Sequence, residues 1–467
     1  MKQKADWGGI RRLSTIVVDV VLFNASIWLA FYIRFDHVIP ERNFYTYEKS
    51  AIYISLLFLV VNFLLGAYVY YNRRISDVVF VTVLGQFITT LGLTMITFIG
   101  RLFAFPRSVL AYSFLISIVL LCIWRVLVFY LYIRLTPDKR VTVVSYREEL
   151  PAVIQNFASN KNNKHRVTTV ITDHFVQNAQ KVIDSDQVDI FYLTKSLSDD
   201  DRRTIVDMAI KKDKHLLLPS TFDNLLLLRP NLMNFEDESV MGISDFKITP
   251  ENAFMKRVFD IIVSLVLLII ASPFMLITAL LVKTSKGPII YKQTRITKNQ
   301  QEFKIYKFRT MRVDAESKSG PVLAKANDNR ITAIGKYLRK LRLDELPQIF
   351  NVLKGDMSIV GPRPERPVFV DQFNQEEPHY YLRHNVRAGI TGYAQVYGKY
   401  ASDYHSKLKF DLLYIKEYSL FLDVKILLQT IKILFDKLSS QGLDSDEEPS
   451  FKKLHEIVLE NDIQHLE

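Results

Sequence analysis

Four long apolar stretches dominate the first third of the chain: Ser14 to Phe35, Ala51 to Tyr71, Val78 to Ile99, and Val109 to Ile133. Each runs to about twenty residues or more. At about 1.5 Å per helical residue that is enough to cross a hydrocarbon core of about 30 Å. Tyr68, Tyr70, Tyr71, Phe129 and Tyr132 gather at the ends, where membrane interfaces favour aromatic rings. The first stretch is too long for a cleaved signal peptide and lacks a small-residue cleavage site before Tyr32-Ile33-Arg34. Lys2, Lys4, Arg11 and Arg12 precede the first stretch, Arg73 and Arg74 sit in the second turn, and Arg134, Lys139 and Arg140 follow the fourth. The positive-inside rule puts these three groups on the cytoplasmic side, although Arg101 and Arg107 in the third loop run against it. Residues 1–137 thus read as four transmembrane helices, and everything after about residue 138 as cytoplasmic.

Net charge adds a second constraint. A formal charge of +11 fits nucleic acid, anionic lipid or phosphorylated substrates. Cys122 lies alone inside an apolar run, and His379 and His384 miss the i, i+4 zinc spacing, so neither a disulfide nor a histidine metal site is expected.

From residue 138 to 250 the pattern becomes short β-like runs alternating with helical ones. Val141–Ser145, Val167–Thr172, Val188–Leu193 and His215–Leu218 carry the strand signal, and Asp199–Lys211 is helical. Such alternation suggests a doubly wound sheet. A dinucleotide site needs glycines after the first strand so that backbone can approach the pyrophosphate. The turn reads Ser145-Tyr146-Arg147-Glu148-Glu149, with two carboxylates and no glycine. The module is predicted to be Rossmann-like but degenerate.

A fifth apolar run, Phe259 to Val282, contains Ser272-Pro273. Proline removes a helical hydrogen bond, and a neighbouring serine hydroxyl can satisfy a freed carbonyl. Lys256-Arg257 and Lys283 with Lys286 flank the run, so both ends look cytoplasmic. A broken helix over 256–283 that enters one leaflet and returns fits both facts better than a straight span.

Beyond it lies a region dense in cations and Gly-Pro turns. Phe303 to Arg309 reads as a strand with its cations on one side. Lys336, Arg339, Lys340 and Arg342 precede Leu343-Asp344-Glu345-Leu346-Pro347-Gln348. Taken alone, acidic residues beside a proline usually mark a helix start. Among fixed cations the pair suits phosphoryl chemistry: cations bind phosphate oxygens, one carboxylate can hold Mg²⁺, and another can act as nucleophile.

The stretch from Lys256 to about Thr430 resembles the bacterial polyprenyl-phosphate hexose-1-phosphate transferases, the monotopic phosphoglycosyl transferases. The resemblance runs through Lys256-Arg257-Val258-Phe259-Asp260, Ser272-Pro273, Tyr306 to Arg309, Leu343 to Gln348, Asn351 to Ser358, Gly361-Pro362-Arg363-Pro364 and Gly389-Ile390-Thr391-Gly392. With the four spans and the α/β module, the chain looks like the large, N-terminally extended branch.

The tail over 441–467 is acidic and poor in apolar residues up to a short helix expected near Leu454, and it reads as mobile. The resemblance implies a membrane-associated α/β catalytic domain over 251–440, with the re-entrant helix holding it at the membrane. It implies that Asp344 attacks the β-phosphate of a UDP-sugar, expels UMP and carries the phosphosugar, which then passes to undecaprenyl phosphate. Glu345 would help hold Mg²⁺. Lys307, Arg339, Arg363 and Arg387 stand at positions tied to phosphate or substrate, and Arg309 adjoins one of these motifs. The implied partners are a UDP-sugar, undecaprenyl phosphate, membrane lipid and a second copy of the chain, with no nucleic acid. The implied setting is the bacterial inner membrane and the priming step of exopolysaccharide or capsule synthesis.

The chain departs from the family pattern where Thr297 replaces a usual Gly, Asn329 a common Pro, and Ala388 a usual Pro. Asp423 to Leu438 is amphipathic and suits either anionic lipid or packing on the domain. Two other functions compete. A membrane-bound nucleotide-sugar dehydratase requires the glycine-rich turn that is missing, and a non-catalytic scaffold would not need the acidic pair.

Overall fold

The computed structural model describes residues 7–70, 75–99, 106–158, 164–235, 237–243, 245–312, 330–398, 403–435 and 463–465. They fall into two compact units, Met1–Pro219 with Pro449–Glu467, and Ser220–Glu448.

The first unit opens with helices α1 (Trp7–Arg34), α2 (Glu41–Leu64), α3 (Ile75–Ile99) and α4 (Arg107–Leu135). All are long and apolar enough to cross a membrane. Their inner faces pack Phe23, Ile27, Phe31, Phe58 and Leu121 into one core, while Ile52, Phe63, Phe98 and Ile123 stay exposed on the outside, as side chains meeting lipid should.

Polar groups cross this apolar core. Arg125 of α4 is 1% exposed and its Nη2 donates to Asp19 Oδ2 of α1 at 2.6 Å and to Asn62 Oδ1 of α2 at 2.9 Å. Its Nη1 reaches Thr82 Oγ1 of α3 at 3.3 Å, so one guanidinium ties all four helices together. Buried charge is costly unless paired, which makes this network a strict packing determinant.

An α/β module follows: β1 (Lys139–Val144), α5 (Leu150–Ala158), β2 (His165–Ile171), α6 (Phe175–Asp184), β3 (Ile190–Leu193), α7 (Asp199–Lys211) and β4 (His215–Leu217). The four strands pair in parallel in the order β2-β1-β3-β4. Adjacent residues of β1 serve opposite faces: Val143 packs with Leu150, while Val144 packs with Ala179 and Ile205. Helices thus cover both faces. At the carboxyl ends of the strands, Glu149 Oε2 accepts a bond from Ser196 Oγ at 2.8 Å. A carboxylate stands where a phosphate-binding turn would need glycine.

The second unit begins thirty residues ahead of the expected boundary at 250. It adds α8 (Phe222–Leu226) and a hairpin of β5 (Asn231–Phe235) and β6 (Glu238–Gly242) to α9 (Pro250–Lys283), β7 (Ile290–Ile296), β8 (Glu302–Phe308), α10 (Ala333–Lys340), α11 (Gln348–Lys354) and β9 (Met357–Val360). Then come α12 (Pro367–Glu376), β10 (Ala388–Thr391), α13 (Tyr393–Tyr397), α14 (Tyr404–Lys416) and α15 (Leu420–Phe435). Leu225 and Phe246 share one core with Phe303, Val352, Met357, Val360, Leu412 and Ile426, which explains why residues 220–250 belong here. β7 and β8 form an antiparallel hairpin, and β9 and β10 a parallel pair.

Helix α9 is continuous through Pro273 over its 34 residues. The carbonyl that Pro273 leaves without an i+4 donor is that of Ile269, and Ser272 Oγ donates to it at 2.9 Å. The first turns of α9 are fastened to the domain. Lys256 Nζ pairs with Asp423 of α15 at 2.6 Å. Arg257 donates to the carbonyls of Val352 and Leu353 at the end of α11. Asp260 Oδ1 accepts from Ser358 Oγ and Ile359 N. With Asp423 and Ile426 buried, α15 packs on the domain along its described residues; the basic stretch to Leu438 runs past them.

The expected helix near Leu454 lies outside the described residues. The last described segment, Ile463–His465 (β11), pairs antiparallel with β2 and extends the sheet of the first unit. It gives part of the acidic tail a place in the fold.

Candidate active site

Asp344 and Glu345 lie in a single 3₁₀ turn, Leu343–Glu345, between α10 and α11. Arg342 precedes it in the left-handed region (φ 56°), which reverses the chain, and Pro347 caps α11. Gly355, at φ 99°, ends α11; its amide bonds back to Asn351 and that of Asp356 does the same. Asn351 also clasps β8, donating to the Lys304 carbonyl at 2.8 Å and accepting from Tyr306 N at 3.0 Å. These bonds set the acidic turn against the strand that carries Lys307.

The two acids meet different surroundings. Glu345 Oε1 accepts from Lys307 Nζ at 2.9 Å and Arg363 Nη2 at 3.3 Å. Although burial opposes its charge, Lys307, Arg363 and Arg342 hold its carboxyl far below the usual range. Asp344 is 7% exposed, and its buried Oδ1 has no partner among the described residues. Burial, helped by the neighbouring Glu345 charge, pushes its carboxyl up to about 6 against the pull of Lys307, Arg339 and Arg342. One acid is a permanent anion, and the other is a buried carboxyl with an unused oxygen. Burial and neighbouring charge thus drive two adjacent titratable groups in opposite directions.

The other predicted cations divide. Arg339 acts on Asp344, and Lys307 and Arg363 on Glu345. Arg309 does not join them. Its guanidinium donates to the carbonyls of Val282, Ser285, Lys286 and Pro288, capping the end of α9. Arg387 Nε donates to the Gly355 carbonyl at 3.0 Å, just past α11. Nor do the β8 cations share a side, because Lys304 and Lys307 are three residues apart: Lys304 bonds Thr294 of β7 and Lys307 bonds Glu345.

The glycine motifs work by close approach. A Cβ on Gly389 would lie 2.1 Å from Gly361 N, and one on Gly392 2.2 Å from Gly361 O. Main chain packs on main chain here, next to Arg363. Two departures from the family pattern also meet: Thr297 Oγ1 donates to the Asp356 carbonyl at 2.7 Å and accepts from Ala388 N at 3.2 Å. A Gly at 297 would lack the hydroxyl and a Pro at 388 the N–H, so each replacement supplies the other's partner. Asn329 lies outside the described residues.

The sequence reading gave no role to Thr310, to Asn351 or to the Asp19–Arg125 pair. A charged residue inside an apolar span was the available signal for the last.

Among the described residues no cluster of three acidic, His or Cys side chains could enclose a metal. Mg²⁺ seldom uses such a cage; one or two carboxylates and substrate phosphates suffice. Two adjacent carboxyl groups, one with an unpartnered buried oxygen, fit that mode.

Comparison with known proteins gives the family. Residues 251–437 match the family model described as bacterial sugar transferase, and residues 64–210 one described as a CoA-binding domain. The chain is 49% identical over 190 residues to the UDP-N-acetylgalactosamine-undecaprenyl-phosphate N-acetylgalactosaminephosphotransferase of Aeromonas hydrophila, covering 40% of this chain and 45% of that one. It is 41% identical over 223 residues to the UDP-glucose:undecaprenyl-phosphate glucose-1-phosphate transferase of Klebsiella pneumoniae, covering 46% and 47%. These alignments span about half the length of either relative. With the exopolysaccharide production protein PSS of Rhizobium leguminosarum bv. phaseoli it is 42% identical over 186 residues, 38% of this chain and 93% of that protein. The chain belongs to the bacterial sugar transferase family.

Proposed function

We propose that the chain moves a sugar-1-phosphate from a UDP-sugar to undecaprenyl phosphate, the priming step of a cell-surface glycan, in two displacements at Asp344. The observation that carries this is a buried Asp344 carboxyl oxygen, without a partner among the described residues, beside a Glu345 locked by Lys307 and Arg363.

In the first step an Asp344 oxygen attacks the β-phosphorus of the donor. The bond from that phosphorus to the bridging oxygen breaks, and UMP leaves with the bond's electrons. An acyl phosphate carrying the sugar remains on Asp344. In the second step a phosphate oxygen of the polyprenyl acceptor attacks the same phosphorus, releasing the Asp344 carboxylate and undecaprenyl diphosphate sugar. A raised pKa suits this nucleophile: its charge is poorly stabilised at rest and is relieved when it bonds to phosphorus. Lys307, Arg339 and Arg363 neutralise oxygens of the transferring group. Mg²⁺ bound by Glu345 and the donor's diphosphate would supply further charge neutralisation as UMP departs.

The membrane address rests on α9. Basic residues stand near both of its ends, Pro273 lies inside it with Ser272 satisfying the carbonyl it frees, and its first turns are bonded to the domain through Lys256, Arg257 and Asp260. A helix that dips into the cytoplasmic leaflet and returns would set the acids where a soluble donor meets a lipid acceptor. The four N-terminal helices would then cross the inner membrane with both ends cytoplasmic.

The test is UMP release by the full-length protein with Mg²⁺, undecaprenyl phosphate and a panel of UDP-sugars. Release from at least one donor, lost in Asp344→Asn, is expected. Release that survives in Asp344→Asn would overturn the mechanism, and silence with every donor would overturn the function.

A further inference from the structure

Among the cations that serve the acids, Lys307 comes from β8 and Arg339 from α10. Their relative placement depends on how α10 sits against the end of β8. Thr310, three residues beyond Lys307 and 6% exposed, stands at that junction.

Thr310 engages α10 at both ends. Its carbonyl accepts from Thr332 N at 2.9 Å and from Thr332 Oγ1 at 3.2 Å, at the helix N-cap. The approach is so close that a Cβ on Gly335 would fall 2.1 Å from the Thr310 oxygen. In the last turn Arg339 Nε donates to Thr310 Oγ1 at 2.9 Å. The single Nε hydrogen is thereby used. The two terminal nitrogens bond no described residue and form the edge that takes two oxygens of one phosphoryl or carboxyl group at once. Arginine otherwise has many rotamers, and a guanidinium fixed through Nε presents that edge in one orientation. Arg339 already acts on the Asp344 carboxyl.

We propose that Thr310 is a positioning residue: its hydroxyl aims the Arg339 guanidinium at the phosphoryl group that Asp344 attacks, and its carbonyl fixes α10 relative to Lys307. This rests on the phosphotransfer reading above. The hydroxyl can be removed without touching the carbonyl bonds, because Thr310→Val keeps the backbone and the branched shape.

The experiment measures UMP release by full-length wild type, Thr310→Val, Thr310→Ser, Arg339→Ala and the Thr310→Val/Arg339→Ala double variant, with a donor the wild type accepts. Losing a hydrogen bond to a charged group predicts a fall of about 10- to 100-fold in kcat/KM for Thr310→Val. Thr310→Ser is expected within about threefold of wild type, since only the hydroxyl is required. The double variant is expected to be no slower than Arg339→Ala alone, because Thr310 acts through that side chain. Wild-type rates in Thr310→Val, a Thr310→Ser variant as slow as Thr310→Val, or losses that multiply in the double variant would each overturn the inference while leaving the transfer reaction standing. Wild type silent with every donor would remove the functional reading and this inference with it.

Discussion

Asp344→Asn should abolish transfer and at the same time stabilise the domain. In the folded protein the carboxyl titrates at about 6, against 3.8 for the free side chain. Ionising it inside the fold therefore opposes folding by about 2.2 pKa units, or about 3 kcal/mol at about 1.36 kcal/mol per unit. The sign follows from the direction of the shift. A carboxyl whose folded pKa is raised is tolerated while protonated. The penalty is absent below about pH 4, grows as pH rises toward 6, and is complete above about pH 7. Asparagine has the same shape and no charge, so its advantage should be largest near neutrality. Hydrogen exchange in the full-length protein reads this locally, at amides of α11 and β9. A difference of about 3 kcal/mol slows exchange through the opened domain by about 150-fold at pH 7.5, and the gain should shrink toward nothing at pH 4. Equal or faster exchange in Asp344→Asn at pH 7.5 would refute the reasoning. So would a gain that does not depend on pH.

The same ionisation should govern rate: kcat/KM is expected to fall about tenfold per pH unit below about pH 6, as the nucleophile is protonated, and a flat profile down to pH 5 would contradict this. Arg125→Leu leaves Asp19 buried without its cation and should destabilise the four-helix unit by about 3–5 kcal/mol in a denaturing-detergent titration, with Asp19→Leu/Arg125→Leu recovering most of the loss. Arg309→Lys gives up most of the bonds at the end of α9 and should lower stability while the folded fraction keeps near wild-type specific activity. Gly389→Ala brings a methyl to within 2.1 Å of main chain and should abolish folded expression of the domain.

The transmembrane helices were legible because a single local quantity, apolar length, decides them. Their boundaries fall within a few residues of the predicted ones at α3 and α4, and α2 starts ten residues early at Glu41 because its first turns are polar. The strands of the middle module were legible for a similar reason: short β-branched runs leave few alternatives. Charge was harder to read. Lys256, Arg257, Asp260, Arg309 and Arg387 belong to the motifs that signal phosphate chemistry, yet in the fold their bonds go to a buried aspartate, helix ends, a buried serine and a loop carbonyl. A sequence shows that a cation is present. Whether it meets a carbonyl or a phosphate depends on which segment folds across from it, and those partners lie up to 167 residues away. Thr310 escaped notice because nothing about a threonine after a basic strand announces that it spans two ends of a helix.

The central claim is that the phosphosugar rests on Asp344 before the acceptor arrives. Its most direct test is rapid-quench measurement of UMP from a donor that the full-length protein accepts, with Mg²⁺ present and polyprenyl phosphate omitted. A covalent intermediate requires a burst approaching one UMP per active site, absent in Asp344→Asn and followed by product when undecaprenyl phosphate is added. No burst without acceptor, in a preparation that turns over once acceptor is supplied, would mean direct transfer between donor and lipid and would contradict the account.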